Sequence, residues 1–133
     1  MTKKYKNAIT YGTFDLFHVG HVRLLSRISQ ISENVIVGLS TDEFNEVKGK
    51  KSTIPFHDRL EILQSLKFVN LVIPEVNWAQ KEYDINNLNV DLFVMGDDWE
   101  FKFDHLKTIC DVLYLPRTEL ISTTIIRESM RTR

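Results

Sequence analysis

Gly12-Thr13-Phe14-Asp15-Leu16-Phe17-His18-Val19-Gly20-His21 is the stretch from which the rest of this chain can be read. It sets a glycine turn, a threonine and two histidines between a hydrophobic segment, 8–11, and a helix-like one, 22–28. Residues 18 and 21 are about one helical turn apart, so both imidazoles can leave a first turn toward one spot. The N-terminus of a helix adds unpaired N–H groups and a partial positive charge, which suit an anion. A glycine that permits close approach, a dipole and two donors together describe a cradle for a phosphate chain.

Working outward, apolar, β-branched runs alternate with helical patterns. Strands are expected at 5–11, 34–40, 71–74, 92–95 and 112–115, and their nearly unbroken hydrophobicity implies burial on both faces of a parallel sheet. Helices are expected at 21–31, 55–66, 78–88, 103–109 and 123–131. The second has Thr53 as its expected N-cap, Pro55 in its first turn, and Leu60, Ile62, Leu63 and Leu66 as an expected core-facing stripe. The alternation predicts an α/β fold, one doubly wound, Rossmann-like parallel sheet flanked by helices and spanning 1–133. Ligands of such sheets bind beyond the carboxyl ends of the strands, where the order reverses. There the 12–21 loop would meet residues near 96–99 and 116–124. No Gly-x-Gly-x-x-Gly follows the first strand, which argues against a dinucleotide dehydrogenase.

Composition agrees with one globular domain. The chain has 133 residues, 43% hydrophobic and 26% charged, with a net charge of −1, so any attraction for phosphate must be local. One cysteine, Cys110, excludes an internal disulfide and fits a reducing compartment with a packing role. No segment reads as a signal peptide or membrane span, so a cytoplasmic protein is expected. The arginines of the tail, Arg127, Arg131 and Arg133, read as a solvated helix end rather than a nucleic-acid surface.

The histidine pair narrows the chemistry. Histidine-activated nucleophilic catalysis would have only Thr13 nearby, and a zinc site would have only His57 and His105 in addition. Phosphoryl or nucleotidyl transfer asks for less: donors that neutralise charge on phosphorus oxygens, and positioning. The 12–21 stretch resembles the HxGH signature of a nucleotidyltransferase superfamily. Within it, Arg117-Thr118-Glu119-Leu120-Ile121-Ser122-Thr123-Thr124 is similar to the RTEGISTT motif of cytidylyltransferases. Met95-Gly96-Asp97-Asp98-Trp99, Val72-Ile73-Pro74-Glu75 and Ser40-Thr41-Asp42-Glu43-Phe44-Asn45 resemble the small bacterial glycerol-3-phosphate cytidylyltransferases, in order and over nearly the whole length.

The resemblance implies transfer of CMP from CTP to glycerol 3-phosphate, with Mg²⁺ carried mainly by the nucleotide phosphates, in a homodimer that serves teichoic acid or capsule synthesis. It implies catalytic roles for His18, His21, Lys50 and Arg117. It implies CTP contacts from Thr13, Phe14, Val19, Gly20, Lys67, Asp98 and the 118–124 run (Thr118, Glu119, Leu120, Ile121, Ser122, Thr123 and Thr124). Lys48 and Lys81 would hold the acceptor. Asp98 would accept from ribose hydroxyls or hold the metal through water, Trp99 would pack near the base or in the core, and Arg59 would serve the site or a helix-surface salt bridge. Leu120 stands where the family motif has glycine, and Lys67 and Asn70 stand where it has arginine and aspartate. Another phosphorylated alcohol as acceptor, or a nucleotide-binding module without turnover, are the alternative readings.

Overall fold

The computed structural model describes residues 3–116, and the expected helix at 123–131 and the whole 117–124 motif lie outside them. Strands β1 (Tyr5–Gly12), β2 (Ser32–Ser40), β3 (Leu71–Glu75), β4 (Leu92–Gly96) and β5 (Asp111–Leu115) form one parallel sheet in the order β3-β2-β1-β4-β5. The chain winds outward from β1 to the β3 edge, then crosses back to lay β4 on the other flank of β1. The order therefore reverses between β1 and β4, and a crevice opens beyond their carboxyl ends.

Alternation along each strand fills both faces. Ala8, Val35, Val37, Leu92 and Val94 pack with Leu25 and Ile28 of α1 (Val19–Ile31) and Leu63 of α3 (Phe56–Gln64). Their neighbours Ile9, Tyr11, Ile36, Phe93 and Met95 pack on the opposite side with Ile85 of α4 (Gln80–Asn87) and Leu106. The sheet is thus doubly wound, as its sequence predicts. Gly38 permits Tyr11 to lie across β2: a Cβ there would sit 2.3 Å from the Tyr11 ring. Pro74 is tolerated because β3 is an edge strand. Cys110 is half-buried against the second cluster, and burial pushes its thiol up to about 11.

Several local expectations are corrected. α1 begins at Val19, two residues early, because His18 is its N-cap. α3 is preceded by Pro55 with no side-chain cap; Thr53 instead gives its backbone N–H to the Asp15 carboxylate at 2.7 Å. Ile62 faces solvent, while Leu63 is buried and Leu60 and Leu66 pack against the core. The helix expected at 103–109 is only a 3₁₀ turn, Asp104–Thr108, as its few residues give little cooperative gain. The helix expected at 78–88 is shorter, and α2 (Asp42–Val47) is too brief to show a period.

Candidate active site

At the switch point lies a cavity of about 370 Å³, walled by the β1–α1 loop, the ends of β3, β4 and β5, and residues from α1, α4 and the turn after α2. The loop is rigidly built. The buried Asp15 carboxylate accepts the N–H groups of Thr53 and Ile54 at 2.7 and 2.9 Å, and that of Leu16 at 3.1 Å. Phe14 and Leu16 both take positive φ, 51° and 48°, an unfavourable conformation for side-chain-bearing residues that these contacts maintain.

His18 and His21 lie stacked, ring centroids 3.9 Å apart. The N–H of Gly20 donates to His18 Nδ1 at 3.0 Å, and the N–H of His18 donates to His21 Nδ1 at 3.2 Å, a reciprocal cap of the helix start. A ring nitrogen that accepts a hydrogen bond carries no proton, so each neutral imidazole holds its proton on Nε2, facing away from the backbone. His21 also stacks on Phe17 and touches Phe14. Burial pushes His21 down to about 4, with the His18 charge adding and Asp15 opposing; burial likewise lowers His18. The pair is therefore two neutral donors at neutral pH.

Across the cavity stands a second polar group. Lys48 donates to Ser40 Oγ at 2.7 Å, Ser40 Oγ donates to Glu75 Oε1 at 2.8 Å, and Lys81 pairs with Glu75 Oε2 at 2.7 Å. Aromatic rings enclose the ammonium groups: Phe44 and Trp78 around Lys48, and Tyr11, Trp78 and Phe103 around Lys81. Burial brings Lys48 down to about 8, opposed by Glu75 and reinforced by Lys50, Lys81 and Arg59. Lys50 is aimed by a helix stop: Gly49, at φ 75°, donates to Glu46 O, and Lys50 N–H donates to Asn45 O.

Arg59 holds these walls together and is 1% exposed. Its guanidinium donates to the carbonyls of Ile54, Thr13 and Ser40 and to the Asp42 carboxylate at 2.7–3.0 Å. Of the two roles left open for it, the structure shows a buried tie between loops rather than a surface ion pair. The Thr13 hydroxyl donates to Asn45 Oδ1, not to a histidine, so no nucleophile–base pair forms there.

Of the expected site residues, Thr13, Phe14, His18, Gly20, His21, Lys48, Lys50, Lys81 and Asp98 line the cavity. Two do not. Val19 is exposed on the first turn of α1, and Lys67 lies on the connection before β3, at the amino end of the sheet, over the Phe68 ring. Nearby Asn70 has a side-chain amide whose Oδ1 accepts from Val35 N–H, while the Asn70 backbone N–H donates to Val35 O. Arg117, Thr118, Glu119, Leu120, Ile121, Ser122, Thr123 and Thr124 lie outside the described residues. The reading from sequence missed Leu24 and Arg27, which continue the face of His21 at three-residue steps and were recoverable from that spacing. Arg27 donates to Pro116 O at the end of β5. It also missed Trp78 and Tyr11, for which no local signal exists.

A family model described as cytidylyltransferase-like matches residues 9–129. A glycerol-3-phosphate cytidylyltransferase of Bacillus subtilis (strain 168) is 55% identical over 125 residues, covering 94% of this chain and 97% of that protein. One of Staphylococcus aureus (strain NCTC 8325 / PS 47) is 53% identical, covering 94% of this chain and 95% of that protein. A solved lipopolysaccharide core biosynthesis protein from Thermoplasma volcanium GSS1 shares the fold, with a TM-score of 0.75 at 18% identity over 86% of this chain and 98% of that one.

Proposed function

The chain belongs to the cytidylyltransferase-like family, and from this we infer its reaction: it transfers the cytidylyl group of CTP to glycerol 3-phosphate, giving CDP-glycerol and pyrophosphate. The observation that carries the mechanism is the neutral histidine pair, Nδ1 tied to backbone and Nε2–H without a hydrogen-bond acceptor among the described residues, set opposite a lysine cluster across one cavity.

The acceptor phosphate has a second pKa of about 6 and is already largely dianionic at neutral pH. It therefore attacks without a base. One of its oxygens forms a bond to the α-phosphorus as the bond to the bridging oxygen breaks, and pyrophosphate leaves with that electron pair. The difficulty is bringing two anions together, so catalysis consists of placement and of donors aimed at developing charge. We assign His18 and His21 to the α-phosphate and the departing oxygens, as neutral donors that remain donors throughout. Lys50, which follows the α2 stop, serves the triphosphate; Lys48 and Lys81 serve the acceptor phosphate. Arg117 and the 118–124 run are assigned to the same triphosphate on the motif alone.

Mg²⁺ fits this site as a passenger on the nucleotide. Among the described residues no group of three or more histidine, cysteine, aspartate or glutamate side chains could hold a metal ion, and only Asp98 and Glu75 are carboxylates of the cavity wall. Bound to the phosphates, the ion supplies charge neutralisation; Asp98, beyond β4, would hold it through water or would accept from the ribose.

We place the enzyme in the cytoplasm, as a homodimer feeding teichoic acid or capsule synthesis. Among the described residues no helix is long and apolar enough to cross a membrane. The β3 edge, with Leu71 exposed, is a surface on which a second copy would pair. The test is pyrophosphate release from a panel of nucleotides against glycerol 3-phosphate and other phosphorylated alcohols. CTP with glycerol 3-phosphate should give the highest kcat/KM; a clear preference for ATP, or for another alcohol phosphate, would overturn the assignment.

A further inference from the structure

Glu75 is a buried carboxylate within a group of cations, and its two oxygens are divided between them. Oε2 receives Lys81 directly, and Oε1 receives Ser40, whose oxygen in turn receives Lys48. The residue is 3% exposed and stands at the last position of β3, where its own carbonyl accepts the N–H of Thr41 ahead of α2. Lys48 comes from the end of α2 and Lys81 from α4, so one carboxylate reaches cations carried by two separate elements.

We propose that Glu75 is a positioning residue for the acceptor phosphate: it holds Lys48 and Lys81 together, both charged and both directed into the cavity, and so sets acceptor binding rather than CTP binding. This rests on the reading of the lysines as the acceptor site. Two ammonium groups in an aromatic-walled, partly desolvated pocket repel one another, and each loses hydration. A buried carboxylate between them offsets both costs. It also leaves more cation than anion there among the described residues, because Lys48, Lys50 and Lys81 line a cavity whose carboxylates are Glu75 and Asp98, and that excess remains for a dianion. The groups facing the cluster from neighbouring elements are Arg59 on α3, Tyr11 on β1 and Asp84 on α4. Asp84 accepts from the Tyr11 hydroxyl and the Gln80 amide. Its charge therefore lies behind the cluster and does not substitute for Glu75 at Lys48. Burial brings Lys48 down to about 8 with Glu75 opposing that fall, so removing the Glu75 charge should lower it further.

The experiment combines steady-state kinetics of Glu75→Gln, from pH 6 to 9, with an NMR titration of the Lys48 side chain in the protein without substrates. Glutamine keeps the shape and one acceptor but not the charge. The Lys48 midpoint should fall by about one pH unit or more. The KM for glycerol 3-phosphate should rise roughly ten- to a hundredfold, increasingly so above pH 7, while the KM for CTP changes less than about twofold. Should Glu75→Gln not fold, Ser40→Ala cuts the arm to Lys48 and leaves the Lys81 bond; the Lys48 midpoint and the acceptor KM should still shift, by less. An unmoved Lys48 midpoint in the variant that folds, or equal changes in both KM values, would overturn the proposal. If the unmodified enzyme fails to use glycerol 3-phosphate at any pH, the reading of the reaction fails, and the substrate-free titration still decides what Glu75 does to Lys48.

Discussion

His21 is held between the Phe17 ring and the His18 ring, with Phe14 at its side, and this burial is the reason it stays neutral. A neutral, oriented Nε2–H gives up no proton to the departing pyrophosphate and needs no reorganisation as charge develops. His18→Ala and His21→Ala should each lower kcat by about 10²–10³, with CTP affinity changed far less. Near-normal turnover in either variant would remove that histidine from the mechanism. The same burial links stability to pH. The folded pKa, about 4, lies below the ordinary value of 6.5, so the unfolded chain binds more protons between these values. The stability conferred by the neutral ring is complete above pH 6.5 and is lost as pH falls toward 4. Thermal unfolding of the protein without substrates should show Tm declining over that window, and His21→Gln should flatten the decline.

Elements meet at the site through a few polar ties. Arg59 fastens the ends of β1 and β2, the 54–55 turn and α2, using its planar fork. Arg59→Lys keeps the charge but cannot reach four partners, and should cost roughly 3 kcal/mol in denaturant unfolding, with a large fall in kcat/KM. Gly49 acts differently. A Cβ there would meet nothing within 4 Å, so only its positive φ matters. Gly49→Ala should cost about 1 kcal/mol and raise the KM for CTP as Lys50 loses its aim. How far these elements were readable depended on what each one buries. The strands were plain because both faces are covered, which leaves an uninterrupted apolar run. His18 and His21 were plain because one helical turn joins them. Arg59 was ambiguous because a cation on a helix looks the same in sequence whether its partner is solvent or four groups from other elements. Lys67 lies away from the cavity on the connection before β3, and motif likeness carries no information about which end of the sheet a connection occupies. α2 was too short to show a period, and Ile62 sits where an apolar stripe simply faces out.

At the scale of the molecule, the reversal of strand order between β1 and β4 decides what can meet. It brings the histidines that follow β1 and the Glu75–Lys81 pair at and beyond β3 to one rim, though they are distant in sequence. The chain as a whole carries a net charge of −1, so attraction for two polyanions arises from this local gathering of cations and donors. The proposed catalysis therefore depends on neutral histidines that offer Nε2–H to the phosphates. The most direct measurement is the ¹⁵N resonances of the His18 and His21 side chains at neutral pH, recorded before and after CTP is added. The predicted result is an unprotonated Nδ1 and a protonated Nε2 on both rings, with the Nε2 signals moving when the nucleotide binds. A proton on Nδ1, or Nε2 signals indifferent to CTP, would contradict it.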